Sequence, residues 1–165
     1  MIDELNSLYT EMLNWRHDIH KHPELGFDEN RTSVKVAELL ESFGIETHIG
    51  VGRTGIVGVL KKGRSNHAIG LRADMDALPI QEMGDHEYKS IHNDIFHGCG
   101  HDGHTTMLLG AAKYLSNHGE FDGTVYFIFQ PSEENGRGAL AMIDDRLLDR
   151  FPMVAIYGLH NMPGI

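Results

Sequence analysis

Apolar residues recur along this chain with two different periods, and the change of period marks its elements. Leu5, Leu8, Met12, Trp15 and Ile19 fall three or four positions apart, predicting a helix over about 3–21 with Pro23 beyond its end. Val34, Val36, Ala37, Leu40 and Phe43 predict a second helix over 30–43, stopped by Gly44. A third, over 105–115, gathers Met107, Leu108, Ala111, Ala112 and Leu115 on one side. The runs GIVGVL (55–60) and AIGLRADM (68–75) read instead as strands, either a hairpin or neighbours in one sheet. TVYFIF (124–129) is apolar without alternation, which suggests an interior strand covered on both faces. A helix over 138–148 and a strand over 153–157 follow, while the polar stretch 81–94 reads as a surface excursion. Strand and helix alternating in this order predict an α/β fold: a mostly parallel sheet flanked by helices, with right-handed crossovers.

Composition narrows the class. A chain of 165 residues, 41% hydrophobic and 23% charged, fits one globular domain. A net charge of −10 without a basic patch argues against nucleic acid and anionic membrane surfaces as partners. The single cysteine cannot form an intrachain disulfide, which favours a reducing compartment. The acidic N-terminus does not read as a secretory signal, and no apolar run approaches the ~20 residues that cross a bilayer. A cytoplasmic protein is the expectation. Twelve histidines raise the prospect of metal chemistry.

The densest chemistry is HGCGHDGH (97–104), which holds the only cysteine and three histidines. A thiolate and an imidazole two positions apart on a glycine-rich loop can turn toward one cation, so Cys99 and His101 are candidate metal ligands. The helix that follows would favour the thiolate through its N-terminal dipole. In open α/β sheets ligands gather beyond the carboxyl ends of strands. Asp74 and Asp76, Glu133 and Glu134, and His160 all stand at such ends. Adjacent carboxylates at 133 and 134 repel unless a cation lies near; one of them can coordinate it and the other take a proton from water. One or both of the aspartates can orient a ligand histidine from behind. Each signal has a plain alternative: a solvated acidic turn, a hydrogen-bonded histidine, a small buried cysteine. His17, His20 and His22 in the last turn of the first helix admit a ligand pair, or simply a favourable contact with the helix dipole.

The strings HKHPELGFDE (20–29), GLRADMDALPI (70–80), HGCGHDGHTTMLLGAA (97–112), FQPSEENGRGA (129–139) and GLHNMPG (158–164) resemble, in order and over nearly the whole chain, the amidohydrolase branch of the co-catalytic metallopeptidases. That branch includes hippurate hydrolases, N-acyl-amino-acid amidohydrolases and auxin-conjugate hydrolases. The resemblance implies a zinc-exopeptidase-like catalytic domain holding two divalent ions, zinc or manganese foremost, with cobalt or nickel acceptable. It implies Cys99 as a ligand able to bridge the ions, with His101, Glu134 and His160 as further ligands. Glu133 becomes the general base, Asp76 a residue that supports the site, and Asp74 a group behind the ligands. The expected substrate is a small N-acyl amino acid or short peptide. Dipeptide hydrolysis, deacylation of a biosynthetic intermediate, and an inactive metal-binding or assembly fragment are the alternatives. Members of this branch are more than twice as long, so residues 1–165 correspond to the N-terminal portion of the catalytic domain. A lid and dimerisation domain, compatible with homo-oligomers, and one further histidine ligand would lie in sequence beyond it.

Overall fold

A computed structural model describes residues 2–162, with the side chains of residue 6 and residues 8–162. The side chain of Leu5 in the first apolar stripe, and Pro163 and Gly164 of the last motif, lie outside what is described. The chain runs α1 (Ile2–Lys21), α2 (Asn30–Ser42), β1 (Glu46–Val51), β2 (Gly55–Lys62), β3 (Ala68–Asp74), α3 (His101–His118), β4 (Gly123–Gln130), α4 (Gly138–Asp144), α5 (Leu147–Arg150) and β5 (Ala155–Gly158). No helix among the described residues is long and apolar enough to cross a membrane.

The five strands form one mixed sheet in the order β1–β2–β4–β3–β5. β3 pairs in parallel with β4 and with β5, while β2 is antiparallel to β1 and β4. Four strands therefore point one way and β2 alone is reversed. β2 and β3 are neither a hairpin nor neighbours, because β4 lies between them. The link leaving β2 is instead held by Asp122, whose Oδ1 accepts the backbone N–H groups of Arg64 at 2.5 Å and Ser65 at 2.7 Å. β1 has no counterpart in the predicted elements; it is an edge strand, mostly exposed, so it lacks an apolar signature.

β4 is covered on both faces, as its unbroken apolar run implies. Phe127 and Phe129 pack with Trp15, Leu40 and Leu109 beneath α1, α2 and α3, and Ile128 packs with Val57, Met142 and Leu147 against α4 and α5. Burying each such large side chain is worth about 1.5–3 kcal/mol, so this three-layer core fixes the strand ends. In α2 the apolar pattern misplaces one residue: Val34 is 55% exposed, and Thr32 and Ser33 are buried in its stead. The last helical region is broken in two at Asp145–Arg146, where Arg146 turns left-handed at φ 63°.

Register decides where the site forms. Asp74 stands opposite Gln130 and Arg72 opposite Gly158, so β3, β4 and β5 end side by side. The segments carrying Asp76, Glu133 and Glu134, and His160 leave from that edge.

Candidate metal centre

His101 opens α3 rather than lying on a loop before it, and it is fully buried. Gly100, left-handed at φ 85°, turns the chain so that Cys99 and His101 face the same space. A second glycine shapes the opposite wall. A Cβ on Gly138 would lie 1.5 Å from the Pro131 carbonyl oxygen, so only glycine lets α4 start tight against the turn that holds Glu133 and Glu134. Ser132 sits in that turn at φ 52°, its N–H bonded to the buried carboxylate of Glu29 at 2.7 Å.

Asp76 lies beneath the turn. Its two oxygens accept the backbone N–H groups of Glu133 at 2.9 Å and Glu134 at 3.0 Å, while its main-chain oxygen accepts Nδ1–H of His101 at 2.8 Å. One aspartate thus fixes three candidate residues. Burial pushes the Asp76 carboxyl up, but His101 Nδ1, which also lies 3.3 Å from its Oδ1, and the two N–H groups outweigh it and leave it below the ordinary carboxylate range.

With Nδ1–H committed to Asp76, the His101 Nε2 atom carries the free lone pair. It faces His160 Nε2 at 3.3 Å, Glu133 Oε2 at 3.6 Å and Glu134 Oε1 at 3.7 Å. His160 is oriented likewise, since its Nδ1 is bonded to the Asn161 carbonyl at 2.7 Å. Donor atoms of Cys99, His101 and Glu134 all lie within 4.8 Å of one another, and a second set links His101 with Asp74, His104 and His160. The six residues expected from the sequence, Cys99, His101, Glu133, Glu134, His160 and Asp76, are therefore gathered at one place.

Sequence reasoning missed His104. Its Nδ1 is 2.6 Å from Asp74 Oδ1, and its Nε2 accepts the Asn161 N–H at 2.9 Å. Both ring nitrogens are in use, so His104 holds the His160 segment rather than offering a lone pair. Only its spacing of three from His101 on α3 could have signalled it. Asp74, also paired with Arg72 at 2.5 Å, does not stand behind the ligand histidines: its oxygens lie 3.6 Å from the Nε2 atoms of His101 and His160, on the side those atoms face.

The thiol departs from expectation. Burial first, then the charges of Glu134, Glu133 and Asp74, push Cys99 up to about 11, so these carboxylates outweigh the helix dipole in the cation-free chain. His101 shows the converse. Burial disfavours its charged form, yet the Asp76 bond and the charges of Asp74, Asp76 and Glu134 raise it. The buried Glu134 Oε1 has no hydrogen-bond partner among the described residues. Negative charge, an orphaned oxygen and inward-facing nitrogens suit a divalent cation, and the mixed sulfur, nitrogen and oxygen set accepts a transition metal.

Three kinds of comparison place this geometry among known proteins. Residues 70–165 match the model of peptidase family M20/M25/M40. The chain is 52% identical over 163 residues to a hippurate hydrolase of Campylobacter jejuni, covering 99% of this chain and 42% of that protein. It is 47% identical over 157 residues to the IAA-amino acid hydrolase ILR1-like 5 of Arabidopsis thaliana, covering 93% of this chain and 35% of the relative. The crystal structure of the Bacillus subtilis YXEP protein, described as a dinuclear metal binding peptidase from the M20 family, superposes with a TM-score of 0.89 at 39% identity. That match covers 97% of this chain and 45% of that one. The chain thus spans less than half the length of these relatives.

Proposed function

The chain belongs to peptidase family M20/M25/M40, and from that membership we propose that the protein hydrolyses the amide bond of N-acyl amino acids at a two-cation centre. The ligands are Cys99, His101, Glu134 and His160, and a further histidine comes from sequence beyond residue 165. Residues 1–165 then correspond to the N-terminal portion of the catalytic domain, with the lid and dimerisation domain following. The observation that carries the reading is the pair of Nε2 atoms of His101 and His160, 3.3 Å apart, with both Nδ1 atoms bonded elsewhere. Ligand nitrogens on a tetrahedral zinc, each about 2.0–2.1 Å from the ion, are roughly 3.3 Å apart. The names of the hippurate and IAA-amino acid hydrolase relatives support the substrate class.

Bound divalent cations would supply Lewis-acid polarisation of the scissile carbonyl and make a water easier to deprotonate. Zinc, manganese, cobalt and nickel all suit the donor set, with zinc or manganese the expected pair. Glu133 keeps a side chain 35% exposed at the open side of the site, where it can take a proton from water and return it to the leaving amine. Asp76 holds the main chain of Glu133 and orients His101, which keeps base and ligands in fixed relation.

The test is Glu133→Gln in the complete polypeptide, assayed on a hippurate-type substrate beside a dipeptide panel. Turnover should fall by roughly 10²–10⁴-fold with metal content unchanged. Near-normal turnover would remove Glu133 from the role of base. Dipeptides hydrolysed in preference to acyl amino acids would replace the substrate class.

A further inference from the structure

A second group of donor atoms lies beside Asp102 in the first turn of α3, and the proposed reaction does not use it. His20 near the end of α1 and Glu82 in the 81–94 excursion are 6% and 3% exposed. Glu82 Oε1 is 3.0 Å from His20 Nε2 and 3.0 Å from His86 Nε2. The excursion expected at the surface is therefore anchored by a buried carboxylate. His86 Nε2 is itself buried and off-line for a hydrogen bond to that oxygen, so it has no hydrogen-bond partner among the described residues.

We propose that His20 Nε2, Glu82 Oε1 and His86 Nε2 form an additional binding site for a zinc-like divalent cation, independent of the Cys99 centre. Three features carry this. The nitrogen-to-oxygen separations of 3.0 Å are close to the roughly 3.3 Å between ligand atoms around tetrahedral zinc, so small side-chain rotations admit the ion. Two of the three ligands are oriented from behind in the manner of metal-binding histidines and carboxylates: Asp102 Oδ2 lies 2.9 Å from His20 Nδ1, and the Ser90 N–H holds Glu82 Oε2 at 2.7 Å, so that Oε1 is left facing the two imidazoles. Aromatic walls surround the group. Tyr88 packs against His86 at 4.2 Å and against His20 at 5.4 Å, and Phe96 meets His20 edge-on at 5.5 Å. Two histidines and one carboxylate leave a fourth position for water or an external ligand. On binding, the ion takes the place of a proton on His20 Nε2, which passes to solvent.

The competing occupant is that proton, which makes His20 an imidazolium clamped between two carboxylates. The probe is Co²⁺ added to the complete polypeptide carrying Cys99→Ser and His160→Ala, which disables the first centre. About one equivalent should still bind, with tetrahedral d–d absorption and no sulfur-to-cobalt charge-transfer band. Adding His86→Ala or, separately, Glu82→Gln should weaken this binding tenfold or more, with the folded circular dichroism spectrum retained. In the otherwise native chain neither change should remove the sulfur-to-cobalt band, so the two centres are read separately. As a second readout free of substitutions in this cluster, Zn²⁺ should abolish the His20 Nε2–H signal in imidazole nitrogen NMR spectra. The proposal is overturned if cobalt does not bind the disabled chain, if binding is indifferent to His86 and Glu82, or if His20 keeps both ring protons in excess Zn²⁺.

Discussion

His101 and His20 are both buried imidazoles beside carboxylates, and they differ in where their second nitrogen points. His101 gives Nδ1 to the Asp76 main chain and turns Nε2 toward another imidazole, His160. His20 meets a carboxylate at each nitrogen, Asp102 at 2.9 Å and Glu82 at 3.0 Å. In the first case two lone pairs face each other and only a proton or a cation can lie between them. In the second His20 itself is already satisfied by a proton, which a metal must displace, while the neighbouring His86 Nε2 is left unpartnered among the described residues. Burial lowers the affinity of His20 for that proton, but the bonds and charges of Asp102 and Glu82 raise it beyond the ordinary value. The lesson is that one side-chain type serves affinity where its lone pair is free and stability where it is bonded on both sides.

The largest effect that would break this comparison comes from His20. His20→Ala leaves Asp102 and Glu82 buried without their shared cation, which should cost about 3–5 kcal/mol. A thermal melt of the cation-free chain should show this as a fall of ~10 °C or more. A melt unchanged within a degree or two would mean that the clamp contributes little.

His160→Ala should do the reverse. Its side chain is 33% exposed, so the melt should barely move, while affinity for the first cation should drop roughly a hundredfold or more in a competition titration. His104→Phe keeps the ring but removes both bonds to Asp74 and Asn161. Cation affinity should fall about 10–100-fold, as expected for a residue that acts through a ligand.

The smallest effect comes from a half-buried surface pairing that serves as a control. Burial alone would raise the Asp18 carboxyl, but the bonds from Arg31 and Lys35 bring it down to about 2. Its folded value is below the ordinary 3.8, so its stabilisation is present above about pH 4 and is lost as pH falls toward 2. Because the group is still partly open to solvent, which screens it, Asp18→Asn should lower stability at pH 7 by less than about 1 kcal/mol. That difference should vanish in melts near pH 2.

What could be read in the sequence follows physical range. The stripes of α1 and α3 and the apolar run of β4 are local patterns, and these elements form over the patterned residues, with α3 starting earlier than its stripe, at His101. Strand order was not legible, because nothing in GIVGVL or AIGLRADM says that β4 inserts between them; the link leaving β2 is held by Asp122 from 58 residues away. The edge strand β1 escaped notice because an exposed strand needs no apolar alternation. At the site, the grouping of Cys99, His101, Glu133, Glu134 and His160 followed from strand-end chemistry, since β3, β4 and β5 end together. The role of His104 depends on which partner each nitrogen meets, and the burial of Glu82 depends on where a polar excursion folds back. Both are tertiary facts that carry no local signature.

The central claim is that the free lone pairs of His101 and His160 share a cation with Cys99 and Glu134. Diffraction at the zinc absorption edge from zinc-loaded crystals tests it most directly. The account predicts an anomalous peak about 2.0–2.1 Å from His101 Nε2 and about 2.3 Å from Cys99 Sγ, with Glu134 and His160 completing the shell of that ion or its neighbour. Zinc found only elsewhere, with His101 Nε2 still hydrogen-bonded to His160 and Cys99 still a thiol, would contradict it.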